Sequence, residues 1–140
     1  MTDVLDILNT LIHDDHRWLG RVGRRERFEK GAVLIREGEP NDTLFFILSG
    51  VVAIHVAGVG EIARVANAEI VGEISLLEGA HPVATVTAME PTNVLRIGRR
   101  RLQAKLEDDA EFASRFYRAV ALLLSLRLRR TIDTLKTRQP

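Results

Sequence analysis

GEISLLEGAHPVATV, Gly72 to Val86, sets a glycine and an acid ahead of one helical turn, then a loop, then a β-branched strand. A helix starting near Ile74 directs free backbone N–H groups, and the positive end of its dipole, back toward Gly72. Glycine lets a guest approach the backbone closely. Glu73 can accept a hydrogen bond from a sugar hydroxyl, and a strand from Ala84 to Ala88 closes the other wall. These features suit a phosphate bearing a sugar. The loop, however, contains neither arginine nor lysine.

On either side the chain reads as short strands. From Arg24 to Arg96, runs such as AVLI, TLFFIL, VVAIHV, EIARV, ATVTA and NVLRI are separated by EGEPND, SG, AGVG and EGAHP. Regular short β-branched runs between turn residues imply an antiparallel sandwich or roll. LSGVVAIHV reads as a hairpin corner, with Gly50 supplying a positive φ. Ahead of the strands, Val4, Ile7, Leu8, Leu11 and Ile12 repeat at helical spacing, continued by Trp18 and Leu19, so one helix is expected from Asp3 to about Val22. After Arg96 the texture is helical: GRRRLQAKLEDD is a short helix, and Asp108 or Asp109 starts a longer one. The expected fold is mainly β with flanking helices. It is an antiparallel, jelly-roll-like β-roll with an N-terminal helix (1–22), a roll (24–96) holding a short cassette helix, and C-terminal helices (99–137), all in one domain, 1–140.

Taken together, these stretches resemble the cyclic nucleotide-binding domain family, over nearly the whole chain. FEKGAVLIREGEPNDTLFFILSGVVAIHV is similar to the first half of that β-roll, GEISLLEG…ATVTA to its phosphate-binding cassette, and NVLRIGRRRLQAKLEDDAEF to its last strand and following helix. The likeness extends to the sensor domains of bacterial catabolite-activator-type regulators and of cyclic-AMP-dependent kinase regulatory subunits. It implies a ligand site of Gly72, Glu73, Ile74, Ser75, Pro82, Val83, Ala84 and Thr85, with Glu73 on the ribose 2′-hydroxyl and cyclic AMP or cyclic GMP as candidate ligands. Glu73 equally fits a structural role, its carboxylate favoured at the start of its own helical turn.

Two departures from the family pattern matter. Where the resemblance calls for Pro-Arg-Ala/Ser-Ala-Thr/Ser, this chain reads His81-Pro82-Val83-Ala84-Thr85, so Pro82 holds the slot of the phosphate-binding arginine. Where it calls for Gly-x-Gly, this chain has Ala66-Asn67-Ala68. An arginine fork makes two charge-assisted hydrogen bonds, and losing both costs roughly 3–6 kcal/mol. Proline also removes a backbone donor. Ordinary cyclic nucleotides are therefore expected to bind weakly or not at all, unless His81, Arg36 or Arg64 supplies the missing cation.

Composition narrows the remaining classes. The 140 residues are 46% hydrophobic and 28% charged, with 20 Lys and Arg against 19 Asp and Glu, a net charge of +1. That balance gives no global field for nucleic acid. Without cysteine there is neither a disulfide nor thiolate chemistry. Ser49, Ser75 and Ser125 have no base at a recognisable spacing, so no catalytic residue is named. His13 and His16 stand i, i+3 on a polar helix face and are not read as a metal pair. No apolar run approaches the roughly 20 residues that span a bilayer, and a cytoplasmic location is expected. The basic clusters Arg17, Arg21, Arg24, Arg25, Arg27 and Arg127, Arg129, Arg130 have no aromatic interleaving. They read as solvated or partner-facing surface.

DAEFASRFYRAVALLLSLRLRRTIDTL carries two apolar stripes. Phe112, Phe116, Ala119, Leu123 and Leu126 form one; Val120, Leu124, Leu128, Thr131 and Leu135 form the other. A helix packed on one side needs only one stripe. The second predicts a homodimer, or an unknown protein partner, on this helix, with Phe116, Val120, Leu124 and Leu128 as candidate interface residues. The alternative is a helix that buries both stripes within one chain.

Overall fold

The computed structural model describes residues 11–66, 69–79 and 81–137, without the side chains of Ile74, Ser75 and Leu76. Its elements are α1 (His13–Val22), β1 (Arg24–Phe28), β2 (Val33–Ile35), β3 (Thr43–Ser49), β4 (Val52–Val56), β5 (Gly60–Val65) and β6 (Ile70–Val71), followed by α2 (Glu73–Glu78), β7 (Thr85–Ala88), β8 (Thr92–Gly98), α3 (Arg99–Asp108) and α4 (Ala110–Thr137). The strands form two antiparallel four-stranded sheets, ordered β1-β8-β3-β6 and β2-β7-β4-β5. This is the expected β-roll with flanking helices.

The first sheet is covered on both faces. Along β3, Phe45 and Ile47 point into the roll with Val52, Val86 and Val94. Leu44 and Phe46 point the other way, against Leu102, Phe112, Phe116 and Leu123 of α3 and α4. A strand buried on both sides has no polar alternation, hence the unbroken TLFFIL. The helices thus form a second core on the outside of the roll, and α4 lies along that sheet.

Several details differ from the sequence reading. The N-terminal helix expected from Asp3 starts at His13; Leu11 and Ile12 are not helical, and residues 3–10 lie outside the described part. Its start is fixed by Asp15, whose carboxylate accepts the Ile12 N–H at 3.1 Å. Gly50, with φ of +100°, is a corner between sheets rather than a hairpin: β3 pairs with β6 and β8, β4 with β5 and β7. A Cβ there would stand 2.5 Å from Thr92 Oγ1. RRERF forms β1 despite having one apolar residue, because it pairs along β8 as an edge strand and sends Phe28 inward. Asp109 starts α4, its carboxylate accepting the Phe112 N–H at 3.0 Å.

On α4 the first stripe is buried throughout, but the second is divided. Phe116 and Val120 are 1% and 2% exposed and belong to the chain's own core, so in this packing they offer no surface to a second copy. Leu124 is half-buried, while Leu128 and Leu135 are 62% and 55% exposed. Val120 falls inside the broad arc that a helix buries against a sheet. Past Leu126 no residue of α4 is buried.

Candidate ligand cassette

The cassette is built where β6 hands over to α2. Gly72 makes that turn with φ of +98°, and a Cβ on it would lie 2.5 Å from the Thr43 carbonyl oxygen. Both the backbone angle and the close approach require glycine. α2 starts directly at Glu73, one residue earlier than expected, and ends at Gly79, with φ of +65°. Across from it, Pro82, Val83 and Ala84 line the cavity together with Gly72, Glu73, Ile35, Ile54, Val71 and Val86. Pro82 is buried, and its carbonyl accepts the Gly38 N–H at 2.9 Å. Thr85 turns its hydroxyl to the Glu37 N–H, 3.0 Å away, and is not among the lining residues. The backbone of Ile74 and Ser75 lies in α2, and their side chains fall outside the described part.

A further residue enters this site from 54 positions along the chain. Arg127 of α4 reaches into the cassette, and its Nη1 lies 2.5 Å from Glu73 Oε1. The same guanidinium donates through Nη2 to the Ile70 carbonyl, and its Nε is buried with no partner among the described residues. Both side chains are well buried, 14% exposed for Arg127 and 5% for Glu73. Glu73 therefore does not simply cap its own helix; its charge is met by a cation. One helical turn on, Arg130 donates to Glu69 at 3.0 Å. The second oxygen of Glu69 accepts the Ala66 N–H at 3.0 Å. Arg127 and Arg130, which the sequence reads as solvated or partner-facing surface, thus brace both ends of β6, while Arg129 is exposed.

None of the three cations considered from sequence reaches the cassette. His81 and Arg36 are exposed, Arg64 is paired with Glu61 at 2.9 Å, and none lines the cavity. With Arg127 in place that cavity measures about 70 Å³. Small-molecule sites usually offer roughly 300 Å³ or more. A larger cavity of about 420 Å³ lies apart from the cassette, between α1, β3 and α4, with mostly apolar walls such as Leu19, Phe46 and Val120. No group of metal-ligating side chains occurs among the described residues.

Residues 25–109 match the family model described as the cyclic nucleotide-binding domain. The chain belongs to the cyclic nucleotide-binding domain family. It is 27% identical over 93 residues to a cAMP-dependent protein kinase regulatory subunit of Debaryomyces hansenii, a match covering 66% of this chain and 21% of that protein. The chain thus spans about a fifth of that relative's length. Among solved structures it is similar to a cyclic nucleotide-binding domain from Methylobacillus flagellatus (TM-score 0.86, 24% identity, 98% of this chain and 83% of that one). It is also similar to the catabolite activator protein of Thermus thermophilus (TM-score 0.72, 24% identity, 94% and 62%). Among the described residues of this cyclic nucleotide-binding domain, no helix is long and apolar enough to cross a membrane.

Proposed function

We propose that this chain is a single non-catalytic, cytoplasmic regulatory module that keeps the cyclic nucleotide-binding fold but binds cyclic nucleotides weakly or not at all. It signals instead through α4, to a second copy of itself or to a protein partner. The observation that carries this reading is the Arg127–Glu73 pair. Glu73, the residue expected to receive the ribose, already holds a counter-ion from the chain's own last helix. Nothing in the loop replaces the phosphate cation, because Pro82 stands in that slot. A nucleotide would have to displace a buried guanidinium, enlarge a cavity of about 70 Å³, and bring a phosphate beside a carboxylate.

The output surface is the outer side of α4. Tyr117, Leu124, Leu128 and Leu135 follow one another at steps of seven, four and seven, the spacing of a coiled-coil seam. Tyr117, Leu128 and Leu135 are exposed, as is the neighbouring Ile132. This seam keeps Leu124 and Leu128 of the expected interface and leaves out the buried Phe116 and Val120.

Calorimetric titration with cyclic AMP and cyclic GMP tests the first claim. Silence at millimolar ligand is the expected result. Micromolar binding would instead favour a receptor with an altered phosphate contact, in which Arg127 leaves Glu73 to meet the ligand.

A further inference from the structure

We propose that the apolar cavity between α1, β3 and α4 is a second binding site, for a small amphipathic carboxylate whose apolar body enters the cavity and whose acid group meets Arg25 and His16. The site lies apart from the cassette and does not depend on the reading given for it.

Three observations carry it. First, the cavity has the size and the walls of a small-molecule site. It measures about 420 Å³, and Leu19, Phe46, Ile70, Phe116, Val120 and Leu123 line it. Such sites are mostly apolar clefts of roughly 300–1,000 Å³, with a few polar groups that fix the ligand's orientation. Second, the polar groups at its mouth suit an anion. Arg25 stands opposite Leu95 in the β1–β8 register, lines the cavity, is exposed, and takes part in none of the ion pairs among the described residues. His16 lines it from α1 and is exposed as well; its ring N–H can donate to a carboxylate. The one acid in the wall, Glu69, is already engaged, one oxygen by Arg130 and the other by the Ala66 N–H. Third, Gly20 lines the same cavity from inside α1. A glycine within a helix is unfavourable relative to alanine. Here neither the backbone nor packing requires one: its φ is not positive, and a Cβ would meet no atom within 4 Å. The missing side chain leaves the cavity open on the α1 side.

Titration calorimetry of the full chain with decanoate tests the site. Saturable one-to-one binding with a Kd of about 100 µM or tighter is expected, within reach of a ligand of that size. Decanol, with the same body and no charge, should bind about fivefold more weakly, the contribution of one partly exposed charge pair. Arg25→Ala should weaken decanoate by about the same factor and leave decanol unchanged. Gly20→Phe, which places a ring in the cavity, should weaken both ligands at least about tenfold. If Gly20→Phe fails to fold, Arg25→Ala, at an exposed side chain, still decides. No saturation at millimolar decanoate, decanol bound as tightly as decanoate, decanoate binding unchanged in Arg25→Ala, or undiminished binding in a folded Gly20→Phe would each overturn the site. So would nuclear Overhauser contacts in the ligand-free chain to the Val120 and Leu123 methyls from Val4, Ile7 or Leu8, or from a second copy, since protein would then already fill the space.

Discussion

Arg127 and Glu73, 54 residues apart, meet at 2.5 Å inside the cassette, and the same guanidinium donates to the Ile70 carbonyl. One side chain thereby neutralises the acid of the site, satisfies a strand carbonyl and joins the terminal helix to the roll. Removing one partner of a buried pair strands the other charge. Arg127→Ala is expected to lose about 3 kcal/mol of unfolding free energy in urea. Arg129→Ala, on the exposed side, should stay within about 0.5 kcal/mol of the parent.

Gly72 sits where only glycine fits. Gly72→Ala introduces a Cβ at φ of +98° and 2.5 Å from the Thr43 carbonyl. A loss of about 1–3 kcal/mol is expected, read from the denaturant midpoint. Gly58, also at positive φ but with open space around it, should cost less when changed to alanine.

Asp15 ties α1 to α4 by accepting two hydrogen bonds from Arg115, at 2.7 and 2.9 Å. The Arg115 guanidinium holds the Asp15 carboxyl below its ordinary value, despite the opposing effect of burial. A carboxylate whose folded pKa is depressed contributes stability above its unfolded pKa and loses it as pH falls through the folded one. Asp15→Asn should therefore cost about 2 kcal/mol at pH 7. Below pH of about 4 the gap to the parent should close, as followed by urea unfolding across pH.

The exposed seam of α4 makes a prediction about assembly. Leu128→Glu with Leu135→Glu should convert a dimer to a monomer in light scattering, with the thermal midpoint of the roll little changed, because neither side chain is buried in the chain's own core. A parent chain that is monomeric at high concentration would contradict the homodimer.

Much of this was legible before the structure. TLFFIL, the glycine corners and the GEISLLEG turn are local signals, and they carry the β-roll and the place of its cassette. RRERF and Ile70–Val71 lack a strand pattern of their own and exist through pairing with β8 and β3. The split of the second α4 stripe depended on how far the sheet extends under the helix, a tertiary quantity. Arg127 has a trace in the sequence. Phe116, Val120, Leu123, Arg127 and Arg130 follow at steps of four, three, four and three, so the two arginines continue the buried face rather than the exposed one. A cation on an apolar face needs an anion, and Glu69 and Glu73 flank a fully apolar strand. What sequence could not supply was that these two faces meet.

The most direct measurement is a crystal structure grown in millimolar cyclic AMP. Arg127 should still lie on Glu73, with no nucleotide between Gly72 and Ala84. An ordered nucleotide in that space, its phosphate charge met by another side chain, would contradict a cassette closed by its own helix.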